Sequence, residues 1–397
     1  MISRINYSFS GIFALLLAMP SCTKNERTGM LKQRQHASVL SSAVTLNTAL
    51  TRKLYEIISD GPQRGKIYVY DLDNAHHLET VLPGPGAINV QSHVRGVCAN
   101  AATGYLYFSY YKAGGGNIYC LDMNTNKVVF DKPVAGAKSI DRLTMNPDGK
   151  TLYIPTGEHD GTFNFLWQAD AMNGNVVGKI PCAYRTHDAQ WPLSGPLFQE
   201  CKSYLNKEGR YMYKINPVTK SVIKIGLYSG ILGPYVIDSK SHFMVNCVSQ
   251  LLGMQIADIW TNTIYTAKFK NQAYKNPTGL LHAIGYTPDE REVWEGTGQN
   301  SNDVVIWDNT DPRSPKEKQT IHLKESGGTH WITFSIKGDY GYISPYINSG
   351  QNTEIWDTKT HQYIQSIAGS LTMLEADFSN TTHKVVAVGD QYGIGRK

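Results

Sequence analysis

This chain contains no Cys-x-x-Cys pair, no Gly-x-Ser-x-Gly elbow, no His-Glu-x-x-His and no glycine loop running into Lys-Ser or Lys-Thr. Those absences remove zinc-ribbon, thioredoxin-type, α/β-hydrolase, zincin and P-loop chemistry, each of which needs its ligands or phosphate cradle at that spacing. Charge is scarce at 18%, and the net +5 is spread over 38 basic and 33 acidic residues without a basic run, so a nucleic-acid groove has no support. The apolar stretch Ile12–Met19 is too short to cross a bilayer. What the chain does have is 36 Gly and 24 Tyr, a turn-rich and aromatic-rich balance that suits an all-β protein.

Its organisation is a repeat. Seven apolar strands end in Asp or Asn, at Asp71, Asp122, Asp170, Asn216, Asp258, Asp308 and Asp357, a spacing of 42 to 51 residues. Within the unit from Ser139, the runs Ile140–Met145, Thr151–Ile154, Phe165–Asp170 and Val176–Ile180 are separated by Asn-Pro-Asp-Gly, a loop and Asn-Gly. Short β-branched and aromatic runs with that punctuation are antiparallel strands, and four of them make one propeller blade. The octads Asn100–Tyr107, Asn146–Tyr153, Thr287–Trp294 and Ser335–Tyr342 align without a gap, each closing on an aromatic expected between blades.

The expected fold is an all-β, seven-bladed propeller over residues 64–397, a single domain. Residues 66–71 and 78–82 read as the third and fourth strands of a blade whose first two, Met373–Phe378 and Lys384–Val388, come from the other end. The ring then closes by pairing the termini, although Leu54–Ile58 also competes for the second-strand slot. Ahead of the propeller, Arg4 and Ile12–Met19 predict a secretory signal over residues 1–22, and Ser21-Cys22 resembles a bacterial lipobox, with ordinary cleavage the alternative. Residues 23–63 then form a tether, and 36–52 read either as a short amphipathic helix or as a linker. The expected location is exported, periplasmic or on the cell surface. Cys98 with Cys120, and Cys182 with Cys201, are open to disulfide pairing or to burial as free thiols.

Units such as Asn146–Ile154 (NPDGKTLYI) and Leu121–Val129 (LDMNTNKVV), with Trp356–Thr360 close behind, resemble the YVTN-type seven-bladed repeats of bacterial surface and periplasmic proteins. They are more distantly similar to lactonase-like and quinoprotein-dehydrogenase-like propellers. The resemblance spans about residues 64–390. It implies architecture and not activity, because such propellers include both binding scaffolds and enzymes.

Function is therefore sought where first strands begin, at one mouth of the central channel. Five residues before each octad stand Arg95, Asp141, His282 and His330, and in the other blades the slot falls near His187, Gly233 and Leu374. With His93, Arg142, Trp331 and Glu375 alongside, these are the expected ligand-binding residues. His93, His187, His282 and His330 could hold Cu or Zn, since imidazole is the common ligand for such ions. Alternatively His187, Tyr184 and Arg95 supply the base, acid and anion clamp of a lyase, and a metal-dependent oxidoreductase or hydrolase is a further enzyme reading. The leading expectation is a binder of a small molecule, peptide or protein at the mouth, monomeric, touching the membrane only through a lipid anchor; a structural surface protein without a site is the third reading. Trp191 and Trp331 are candidates to stack a ligand, whereas the other tryptophans are expected between blades.

Overall fold

A computed structural model describes residues 49–390, apart from 60, 86–93, 113–114, 157–164, 183–184, 202–206, 249, 275–280, 299–300, 326–327, 346–351 and 370–371. The expected signal segment, Cys22 and nearly all of the expected tether thus lie outside the described residues. From Asn47 onward the chain is one compact unit. It consists of seven antiparallel sheets in a ring, six of four strands and one of five. We number the blades from the composite one. Blade 2 covers residues 94–133, blade 3 140–181, blade 4 186–225, blade 5 232–268, blade 6 284–322 and blade 7 329–367. Among the described residues no helix is long and apolar enough to cross a membrane.

Blade 1 joins the two ends of the chain, but by a different division of strands from the one expected. Leu50–Ile57 takes the second-strand slot, pairing with Ile67–Asp71 on one side and Thr372–Ser379 on the other. Val385–Val388 is displaced to the inner edge of Thr372–Ser379 as a fifth strand. The propeller therefore begins at Leu50 rather than 64, and the proposed helix over 36–52 loses its last residues to a strand. The reason is register: Leu54 lies in the apolar seam with Tyr70, Tyr342 and Met373, while Tyr55 and Ile57 fill the seam facing blade 2. An eight-residue strand buried on both faces removes more apolar surface from water than the four-residue Val385–Val388 could in the same slot.

The seven repeated Asp/Asn residues are turn caps. Oδ1 of each accepts backbone N–H groups two or three residues on, as in Asp71 from Asp73 and Asn74, Asn216 from Val218 and Thr219, and Asp258 from Trp260 and Thr261. The same oxygen serves in Asp122, Asp170, Asp308 and Asp357. A side-chain acceptor of this kind stands in for the missing ladder partner and fixes the turn between third and fourth strands. The octad aromatics Tyr107, Tyr153, Trp294 and Tyr342 are all buried, as expected.

None of the five described cysteines is in a disulfide. Cys98 and Cys120 sit on either side of the strand carrying Tyr107, which is opposite both, so the expected pairing is blocked by an intervening strand. Ring closure is fastened by a buried ion cluster: Arg52 donates through Nε to Glu375 Oε1 (2.7 Å) and through Nη1 and Nη2 to both oxygens of Asp339 (2.7 Å each). One guanidinium thereby ties the N-terminal strand, the C-terminal strand and blade 7 together.

Candidate functional site

In an inner strand, any side chain that points into the channel must interrupt a pattern otherwise set by apolar packing between blades. The structure achieves this with a backbone irregularity. In blade 2 the ladder passes from the pair Val94–Tyr110 to Gly96–Ser109, leaving Arg95 as an extra residue. His187 is extra between Thr186–Cys201 and Asp188–Glu200 in blade 4, and His330 between Thr329–Pro345 and Trp331–Ser344 in blade 7. In blade 5 the irregularity spans Gly233 and Pro234. A bulge bends its strand and re-aims the unpaired side chain, so the slot read from the sequence coincides with a structural device recurring in four blades.

The bulged residues and their neighbours form a buried polar network. His187 Nδ1 lies 3.0 Å from Glu200 Oε2, and its Nε2 faces Asp141 Oδ2 at 3.8 Å in the neighbouring blade. Arg142 donates to Asp188 Oδ2 (3.2 Å) and stacks its guanidinium 3.5 Å from the centre of the Trp331 ring. Because Arg142 belongs to blade 3 and Trp331 to blade 7, this stack spans non-adjacent blades. His282 and His330 stack at 4.0 Å with 27° between their planes, and His282 Nδ1 lies 3.2 Å from the His330 carbonyl. Arg95 places Nη2 3.2 Å from the Tyr111 hydroxyl with its guanidinium over that ring. At 9% it is the most exposed of the charged and imidazole side chains just described; the rest are at 6% or below.

Several expected site residues have other work. Glu375 is engaged between blades, with Oε1 on Arg52 and Oε2 accepting the Ile336 N–H (2.5 Å), so it is part of the closure. Trp331 is 0% exposed, one face covered by Arg142 and its edges packed among blade 5 and 6 residues, so it cannot stack a ligand. Trp191 lies at the opposite side of the ring, in the turn after the inner strand of blade 4, where its indole N–H donates to the Gly195 carbonyl. Trp260 also departs from expectation: it is 69% exposed on a turn rather than buried between blades. His93 and Tyr184 lie outside the described residues.

The described imidazoles do not assemble as a metal centre. A face-to-face pair such as His282 and His330 directs its ring-plane lone pairs side by side instead of to one point, and His187 turns one nitrogen to Glu200 and the other toward Asp141. Among the described residues no group of three or more His, Cys, Asp or Glu side chains has ligating geometry.

Second-strand acids were missed in the sequence. Glu200 and Glu295 are both 0% exposed and lie opposite the inner strand near its start. Glu295 Oε2 accepts the Trp307 indole N–H (3.0 Å), Oε1 has no hydrogen-bond partner among the described residues, and burial pushes the carboxyl up to about 8. A Glu inside the otherwise apolar runs LFQEC and EVWEG is the signal that could have found them.

No protein-family model matches the chain, and no curated protein matches it in sequence. Solved structures match its fold. The β-propeller domain of Cps50 (Swd1) from Myceliophteria thermophila has a TM-score of 0.54 at 13% identity, over 74% of this chain and 98% of that one. The dihydro-heme d1 dehydrogenase NirN in complex with DHE has 0.52 at 11%, over 86% and 75%. A chain of the mitotic checkpoint complex has 0.58 at 12%, over 74% and 85%. At such identities the likeness establishes the seven-bladed, WD40-like architecture and nothing finer.

Proposed function

We propose that this chain is an exported propeller, anchored through Cys22, that binds a small molecule or peptide bearing a carboxylate at the channel mouth. The observation that carries the reading is the recurrence of a bulge at Arg95, His187 and His330. Three separate blades place an ionisable side chain at a bulge at one level of the ring and bury it there, whereas the bulges beside the turn caps carry exposed residues. Asp141, Asp188 and Glu200 each face a protein cation or imidazole. Arg95, the most exposed of the cations on that ring, offers the fixed fork that suits a carboxylate. The fold neighbours include a propeller bound to DHE and one within a protein assembly, so both small-ligand and protein binding are compatible with the architecture.

The test is a thermal-shift and calorimetry screen of the purified chain against organic acids, uronic acids and acidic peptides. A true ligand at a hundred times its Kd adds about 2.7 kcal/mol to stability. Arg95→Gln should abolish that shift while changing the unliganded midpoint little. A ligand whose binding survives Arg95→Gln and His330→Ala would place the site elsewhere. Anchoring is read separately, by mass spectrometry of the membrane-extracted N-terminus and its release in Cys22→Ser.

A second reading rests on the Glu200–His187 contact. A buried carboxylate fixing one imidazole nitrogen is how a general base is oriented, and here the other nitrogen is turned toward Asp141 of the neighbouring blade. Turnover lost in His187→Gln with ligand affinity kept would favour it.

A further inference from the structure

The turns between third and fourth strands are alike in backbone but not in what they display. Two residues after the capping Asp or Asn, blades 3, 4 and 5 carry Met172, Val218 and Trp260, which are 52%, 89% and 69% exposed. The other four blades carry Asp73, Asn124, Thr310 and Lys359 at that position. In the three apolar cases the backbone N–H of the displayed residue itself bonds the cap: Met172 to Asp170 (2.8 Å), Val218 to Asn216 (3.0 Å) and Trp260 to Asp258 (3.2 Å). Each side chain is thus held at the tip of the same rigid turn. Scattered exposed apolar residues are ordinary, but three at one repeat position in three consecutive blades form an arc.

Trp260 is held with particular firmness. Its indole stacks on His242 at 3.7 Å and 9°, His242 stacks on Phe243 at 4.0 Å, and the Arg313 guanidinium covers Phe243. Asp258 locks the stack by pairing with both His242 (3.4 Å) and Arg313 (3.0 Å). Basic residues accompany two of the tips: Arg313 ends this stack, and Lys220 follows Val218 in the same turn. Of the capping acids of the arc, Asp170 is occupied by turn N–H groups and Asp258 by turn N–H groups together with His242 and Arg313.

We propose that the arc of blades 3 to 5 rests on an anionic lipid bilayer, with Met172, Val218 and Trp260 entering the interface and the flanking cations meeting headgroups. Points at one repeat position of a ring lie in a plane, so a flat surface meets all three tips at once. A folded partner would need a continuous apolar core, about 800 Å² on each side; isolated tips set a blade apart and ringed by polar turns do not provide one. A bilayer interface deforms around single side chains, accepts Trp readily and attracts adjacent Lys and Arg. This contact does not depend on the Cys22 anchor.

Trp260 supplies its own reporter, because the other six tryptophans are buried or half-buried. The full chain is mixed with vesicles of phosphatidylcholine and phosphatidylglycerol whose acyl chains are brominated, and tryptophan quenching is followed. We expect quenching that disappears in Trp260→Phe and that needs about tenfold or more lipid in the Met172→Asp, Val218→Asp double variant. Both substitutions are at exposed turn tips and leave the fold intact, and circular dichroism checks this. Because quenching reports where the indole sits, a chain held to the vesicle only by its N-terminus gives none and overturns the proposal. So does quenching that the double variant leaves unchanged, or that is equal on phosphatidylcholine alone.

Discussion

The two sides of this ring are built on opposite terms. On the side of the tight turns, seven Asp or Asn caps saturate their backbone N–H groups, left-handed residues such as Gly104, Gly149 and Gly174 close the chain on itself, and Arg52 is satisfied by three carboxylate oxygens. Bulges occur on both sides, but those at the channel mouth bury ionisable side chains, and a carboxyl as deeply buried as Glu295 has one oxygen without a partner among the described residues. The turn side holds the stability of the ring, and the mouth spends some of it, which is how sites on rigid scaffolds generally behave. Substitutions on the turn side should therefore destabilise, whereas removing the right group near the mouth should stabilise.

The largest effect is expected at the closure. Arg52→Ala leaves Glu375 and part of Asp339 buried without their cation and should cost about 3–5 kcal/mol, the usual result of breaking one partner out of a buried pair. Urea unfolding measures it, and a loss below about 1 kcal/mol would show that strand pairing alone closes the ring. The opposite sign is expected at Glu295. Its folded-state pKa of about 8 lies above the ordinary carboxyl value, so the folded chain binds the extra proton and stability falls as pH rises from the unfolded value near 4.5 to about 8. Glu295→Gln should flatten that slope and gain about 2–3 kcal/mol at pH 8 and above, with little change at pH 4. Equal pH slopes in the two proteins would break the contrast between the sides. The smallest effect tests the turns. Gly149 has φ of +71°, and an added Cβ would come 2.0 Å from Asn100 Nδ2 in the adjacent blade. Gly149→Ala should cost about 1–3 kcal/mol without altering the mouth, as unfolding and ligand titration together would show.

Much of this contrast is legible in the amino-acid order. The caps are local: Asp122 or Asp357 needs only the next few residues to form its turn, so periodic Asp and Asn reveal both the turn and the blade number. The channel slot is legible for the same reason, since Arg95 and His330 stand at a countable distance from an octad, and the equivalent slot of the less regular blade 4 falls near His187. What cannot be counted is who meets whom across the ring. Arg142 reaches Trp331 from a non-adjacent blade, and Glu375, though beside the slot by number, is drawn to Arg52 323 residues away. Blade 1 shows the same limit: Leu54–Ile58 and Lys384–Val388 both have strand character, and only packing against Tyr342 and Met373 decides between them.

The pairing of Leu50–Ile57 with Thr372–Ser379 has a consequence in time as well as space. Leu50–Ile57 leaves the ribosome with no neighbour on one side until Thr372–Ser379 has followed, so blades 2 to 7 can form in order while the ring stays open. Closure is then the last event, a single long-range docking whose loop entropy is met all at once. Such a ring stays open until Thr372–Ser379 has been made, and then seals in one step.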